Sequence, residues 1–180
     1  VVLARLRPGR RKPGAFRWGV VALPAPGERV CGDSWGVAFD GSRAALVVAD
    51  GLGHGEHAAE ASLAAVDLFA RQPFAEMKGA LEEAHVVLRM TRGAAVTRAQ
   101  LDVEADALRV AGAGNVMIRV VSGVFNRSVL AQNGTVGVQM RRVEETNMQW
   151  PDHALIVCHS DGLQSLQALL ALYLPADLLA

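Results

Sequence analysis

Three aspartates in this chain stand where an apolar or strand-like segment meets glycine. They are Asp33 in Cys31-Gly32-Asp33-Ser34, Asp50 in Val48-Ala49-Asp50-Gly51 and Asp161 in His159-Ser160-Asp161-Gly162. The runs leading to Asp50 and Asp161, AALVVA and ALIVCH, are almost wholly apolar. A carboxylate closing a buried strand is costly unless something positive meets it. A following glycine lets the backbone turn sharply and exposes its carbonyl. Hard divalent cations such as Mg²⁺ and Mn²⁺ take carboxylate, carbonyl and water oxygens. A sheet that gathered the three corners would therefore make a metal site. Asp-Gly is equally ordinary turn chemistry, and the residues alone leave both readings open.

The loop after Asp50 has a second reading. Gly51, Gly53 and Gly55 in DGLGHG lie between a buried strand and a helix start, a place where backbone N–H groups cradle anions. A nucleotide or S-adenosylmethionine fold would use such a loop. It would then need alternating strand–helix units, with an acidic residue ending the next strand. Here a second helix follows, and Asp67 falls inside the first.

The elements that must hold these residues follow from periodicity. Residues 16–23, 34–39 and 44–49 read as strands, the last two joined at Asp40-Gly41-Ser42. Ala58, Ala61, Ser62, Ala65, Leu68 and Phe69 recur at helical spacing, which predicts an amphipathic helix over 55–71. Gln72-Pro73 ends it, and a second helix is predicted over 74–91. Strand-like segments then recur about every ten residues: 94–103, 107–111, 115–121, 124–131, 135–141, 143–149 and 154–159. A third helix is predicted over 163–173. Strands, two helices, many strands and a helix make an α+β sandwich with helices packed on mainly antiparallel sheets.

Composition narrows the class. With 180 residues, 51% of them hydrophobic, the chain is one ordinary domain with a real core. Eighteen basic residues balance eighteen acidic ones, which argues against a nucleic-acid binder with a basic face. Its apolar runs fall short of the ~20 residues of a membrane span, and no apolar signal segment opens the chain at Val1. Two cysteines, Cys31 and Cys158, suit a reducing compartment and no disulfide scaffold. Residues 1–14, with Arg5, Arg7, Arg10, Arg11 and Lys12, read as a solvated basic arm or edge strand.

Six segments, in order, carry a resemblance. They are Gly32-Asp33-Ser34, Val48 to Gly55, Thr91-Arg92-Gly93-Ala94-Ala95, Ala113-Gly114-Asn115-Val116, Asn133-Gly134-Thr135-Val136-Gly137 and His159-Ser160-Asp161-Gly162-Leu163. Together they resemble the metal-dependent protein serine/threonine phosphatases of the protein phosphatase 2C superfamily, in the bacterial branch of SpoIIE and RsbX type. That resemblance implies a four-layer α-β-β-α sandwich, with residues 15–180 as a single phosphatase-like domain. It implies that Asp50 bridges two Mn²⁺ or Mg²⁺ ions, that the Gly51 carbonyl serves one and Asp161 the other, and that Asp33 joins as a ligand or through water. A metal-activated water would then hydrolyse phosphoserine or phosphothreonine on a cytoplasmic signalling protein, such as a stressosome scaffold.

The sequence also departs from the family pattern. A final acidic pair, Asp-Asp or Asp-Asn in a last strand, has no counterpart before the chain stops at Asp177-Leu178-Leu179-Ala180, so the final strand is expected to lie outside the sequence. Gly32 and Leu52 stand where eukaryotic relatives carry Glu and His, and His54 does not inherit that histidine's place. A binding module that keeps the fold and holds metal poorly is the alternative. The other polar candidates read as follows: His54 and His57 as solvated helix-start residues, and His85 and His159 as structural. Cys31 and Cys158 read as buried thiols, Trp18, Trp35 and Trp150 as packing, and Arg17 or Arg29 as a phosphate-steering cation.

Overall fold

The computed structural model describes residues 2–4, 16–122, 125–151 and 154–162. Among these residues, twelve strands and two helices run in the order β1 (Val2–Ala4), β2 (Gly19–Val20), β3 (Asp33–Asp40), β4 (Arg43–Gly51), α1 (Glu56–Arg71), α2 (Met77–Leu88), β5 (Ala94–Asp102), β6 (Ala107–Ala113), β7 (Met117–Ser122), β8 (Phe125–Leu130), β9 (Gly134–Thr135), β10 (Gln139–Met140), β11 (Glu145–Gln149) and β12 (Leu155–His159). One sheet has the order β11-β6-β5-β4-β3, the other β2-β1-β12-β7-β8, and β9-β10 is a separate hairpin. Among the described residues the named strands pair antiparallel. The α+β architecture is as the element order predicts, and no nucleotide-type alternation of strand and helix occurs among the described residues.

The alternation of side chains along β4 shows how the layers stack. Ala44, Leu46 and Val48 join a core with Ile118, Val120, Ile156 and Cys158 of the second sheet. Ala45, Val47 and Ala49 join a second core with Ala61, Ala65 and Phe69 of α1 and Leu81 and Leu88 of α2. From Ala44 to Ala49 the strand is apolar because both of its faces are covered. Helices, sheet and sheet thus form three layers. The third predicted helix, which would make the fourth, lies outside the described residues.

The helix layer is fixed by polar side chains of β5. Arg98 is buried, donates to the carbonyls of Gln72 and Pro73, and lies over the Phe69 ring. Gln100 donates to the carbonyl of Ala75. These bonds tie the α1–α2 connection to the first sheet.

Several predicted elements are shorter than their patterns. The strand expected over 16–23 is reduced to Gly19–Val20, with Phe16 in an isolated bridge, because the loop of Pro24 and Pro26 follows at once. The helix expected over 74–91 begins only at Met77, where Glu76 accepts from the amides of Lys78 and Gly79 as its cap. The strand expected over 135–141 is a hairpin, turned where the Val138 amide meets the Thr135 carbonyl. Of the segment read as an arm or edge strand, Val2–Ala4 lies between β2 and β12, and the rest falls outside the described residues.

Leu81 is fully buried between α2 and the first sheet, whereas Leu63 on α1 is 52% exposed. Leu81→Ala is expected to cost about 2–5 kcal/mol in urea unfolding. Leu63→Ala should stay within about 0.5 kcal/mol. Equal losses would contradict this layering.

Candidate metal centre

Face parity brings the aspartates together. Trp35 and Val37 of β3 pack on the core between the sheets, so Asp33 shares that face. Leu46 and Val48 do the same for Asp50. The β3–β4 hairpin pairs Asp40 with Arg43 and therefore Asp33 with Asp50. Both carboxylates stand at the same open end of the inter-sheet face. Asp161 follows β12 directly, on the facing sheet.

The backbone at this end admits little substitution. A Cβ on Gly51 would lie 1.9 Å from the carbonyl oxygen of Ala58, so β4 passes against the first turn of α1 with no room for a side chain. Gly114, at φ +114°, lets the β6–β7 turn lie flat on Ala95, the cross-strand partner of Asp50.

The electrostatics are those of crowded acids. Burial, then the Asp33 carboxylate, then that of Asp161, push the Asp50 carboxyl up to about 7. Among the described residues none of the three pairs with a lysine, arginine or histidine. Two neutral donors hold the outer acids instead. Ser160 Oγ donates to Asp33 Oδ2 at 2.6 Å, and Asn115 Nδ2 donates to Asp161 Oδ2 at 3.1 Å. An all-oxygen acidic donor set with no cationic side chain suits a hard divalent ion. The acids do not form a finished cage: among the described residues no three His, Cys, Asp or Glu side chains close on one point. Main-chain oxygen and water would have to complete any coordination shell, as Mg²⁺ sites commonly have it.

The remaining candidates scatter. Arg17 and Arg29 are exposed. His54 pairs with Glu28 and His57 lies 3.6 Å from Glu60, both near the surface. His85 accepts from the Gly137 amide and so ties α2 to the β9–β10 hairpin. His159 is buried and its Nδ1 donates to the Ser160 carbonyl. Burial pushes the Cys158 thiol up to about 12, too high for a thiolate nucleophile. Cys31 donates to the Leu23 carbonyl. Trp150 is in the inter-sheet core, while Trp18 packs on Trp35 at the surface. Sequence reasoning missed the parts played by Ser160 and Asn115, although both stood inside quoted motifs. Parity held the signal for Ser160, since Ile156 and Cys158 face the core and Ser160 continues their side. It also missed Arg92, whose guanidinium would be 3.2 Å from a Cβ on Gly53 in the loop after Asp50.

Comparison with known proteins gives this geometry its family. The family profile described as Stage II sporulation protein E (SpoIIE) matches residues 40–168. The chain belongs to the SpoIIE phosphatase family. Phosphoserine phosphatase RsbX of Bacillus subtilis (strain 168) is 30% identical over 146 residues, covering 80% of this chain and 73% of RsbX. Among solved structures, one from work on the bacterial stressosome as a modular system adapted to control secondary messenger signalling superposes with a TM-score of 0.78, at 28% identity over 85% of this chain and 82% of its own. RsbX in complex with magnesium gives 0.76, at 24% identity over 82% and 74%. The PP2C domain of SpoIIE from Bacillus subtilis gives 0.68, at 22% over 79% and 45%. The fold is that of the PP2C phosphatases, and this member of the family is a protein serine/threonine phosphatase.

An acid whose folded pKa is raised favours folding while protonated. That contribution is whole below the unfolded value, 3.8, and is lost as pH rises through about 7. In EDTA the thermal midpoint should therefore fall between pH 5 and pH 8. Asp50→Asn should flatten the fall and leave the variant more stable than wild type at pH 8. A steeper fall in the variant would refute this account of the site.

Proposed function

We propose that this chain hydrolyses phosphoserine or phosphothreonine on a bacterial signalling protein of the stressosome-scaffold or anti-sigma-antagonist type. The reaction takes place in the cytoplasm with two Mn²⁺ or Mg²⁺ ions. Asp33, Asp50 and Asp161, with the Gly51 main-chain carbonyl, hold them. The observation carrying this reading is the convergence of Asp50 with Asp33 and Asp161 where no cationic side chain among the described residues balances them. Bound divalent cations supply Lewis acidity toward phosphoryl oxygens and bring a coordinated water toward a neutral pKa.

The protein's own groups do the rest. Asp50, which feels both of the other acids, gives a carboxylate once a cation outweighs its neighbours. Asp161 is exposed, open to an incoming phosphorylated side chain. Arg92, exposed beside the loop after Asp50, offers a guanidinium to phosphate oxygens. The inert Cys158 thiol leaves no role for a cysteinyl-phosphate route there. Support for the substrate class comes from RsbX, a phosphoserine phosphatase, and from the similar stressosome structure. Support for a divalent ion comes from RsbX with magnesium.

The test is turnover of a phosphoserine protein with Mn²⁺, with Mg²⁺ and in EDTA. Turnover with metal and none in EDTA is expected. Asp50→Asn and Asp161→Asn should each lose roughly 10²-fold or more, the loss of a transition-state contact worth several kcal/mol. Undiminished turnover in EDTA or in Asp50→Asn would overturn the metal-centred reading. No turnover with either metal would favour the fold acting as a binding module.

A further inference from the structure

Asp33 accepts from Ser160 and Asp161 from Asn115, and each donor reaches the acid from another part of the chain. Ser160, 4% exposed, crosses from the end of β12 to Asp33 at the start of β3, a link between the two sheets spanning 127 positions in sequence. Its peptide is itself fixed, because His159 Nδ1 donates to the Ser160 carbonyl. Asn115 reaches Asp161 from the β6–β7 turn, 46 positions away. That turn is seated by Gly114 against Ala95, which is paired with Asp50.

We infer that Ser160 and Asn115 are positioning residues that set the affinity of this centre for a divalent cation; the inference rests on the metal-centred reading above. A carboxylate has about four lone-pair sites, so a donor on Oδ2 leaves acceptor capacity for an ion. Fixing the side chain beforehand lowers the rotamer entropy lost when a ligand binds. Both donors are neutral. A lysine or arginine in either place would hold the acid equally well and would compete with the cation for its charge. Serine and asparagine orient the carboxylates and leave their charge for the metal. Groups of this kind around metal ligands typically alter affinity by ~10–100-fold.

The experiment is titration of the full chain with Mn²⁺, without substrate, reading free Mn²⁺ by electron paramagnetic resonance. Ser160→Ala and Asn115→Ala should each bind ~10–100-fold more weakly than wild type. Ser160→Thr, which keeps the hydroxyl, should regain most of the affinity, a rescue that loss of packing alone would not produce. Thermal midpoints in EDTA establish that the variants are folded. Asn115 is exposed, so Asn115→Ala carries the test even where Ser160→Ala does not fold. Alanine variants that bind Mn²⁺ as tightly as wild type overturn this inference alone. A wild type that binds no better than Asp50→Asn overturns the metal-centred reading and this inference with it.

Discussion

Like charges gathered at one end of a low-dielectric layer are the constraint on which this molecule turns. Asp33 and Asp50 are partners across a hairpin, on the face that closes against the second sheet, and Asp161 arrives from that sheet. The fold makes ionisation of Asp50 unfavourable and places no side-chain cation among the described residues to relieve it. An arrangement that destabilises its own charged form is what a site for a positively charged ligand requires, because the ligand's binding then relieves the strain.

The rest of the architecture holds that end open and exact in register. A one-residue slip of β3 against β4 would send Asp33 to the helix side, where Ser34 now meets Ser62 of α1. The close pass of Gly51 under Ala58 fixes the height of α1 above the strand end. Arg98 and Gln100 bind the carbonyls between the helices, so both helices are tied to the strand that flanks Asp50. Membership of the SpoIIE family accounts for the activity, and these contacts show how this sequence builds the scaffold beneath it.

Strong periodicity made much of the fold legible. Helix α1 is found within one residue of its pattern, since six apolar or small positions recur at helical spacing. Strands β4 and β12 were readable as apolar runs, because Ala44–Ala49 and Leu155–His159 are buried on both faces. The failures came where local pattern is weak. Residues 134–140 have the composition of one strand, and their reversal depends on Gly137 pressing against Leu88, a contact made only in the folded chain. The segment from Phe16 to Leu23 has strand-like residues, but among the described residues its paired strand is Gly19–Val20 alone.

The sequence by itself determined that Asp33 would face Asp50. Once Gly41-Ser42 turns the chain, each step back along β3 matches a step forward along β4, and the even spacing puts both acids on the face of Leu46 and Val48. Only the tertiary structure decided that Asp161 would join them, that Ser160 would hold Asp33 and that Asn115 would hold Asp161. Those contacts cross between sheets and across long stretches of chain. Their geometry comes from how two twisted sheets stack, and local periodicity carries no record of it.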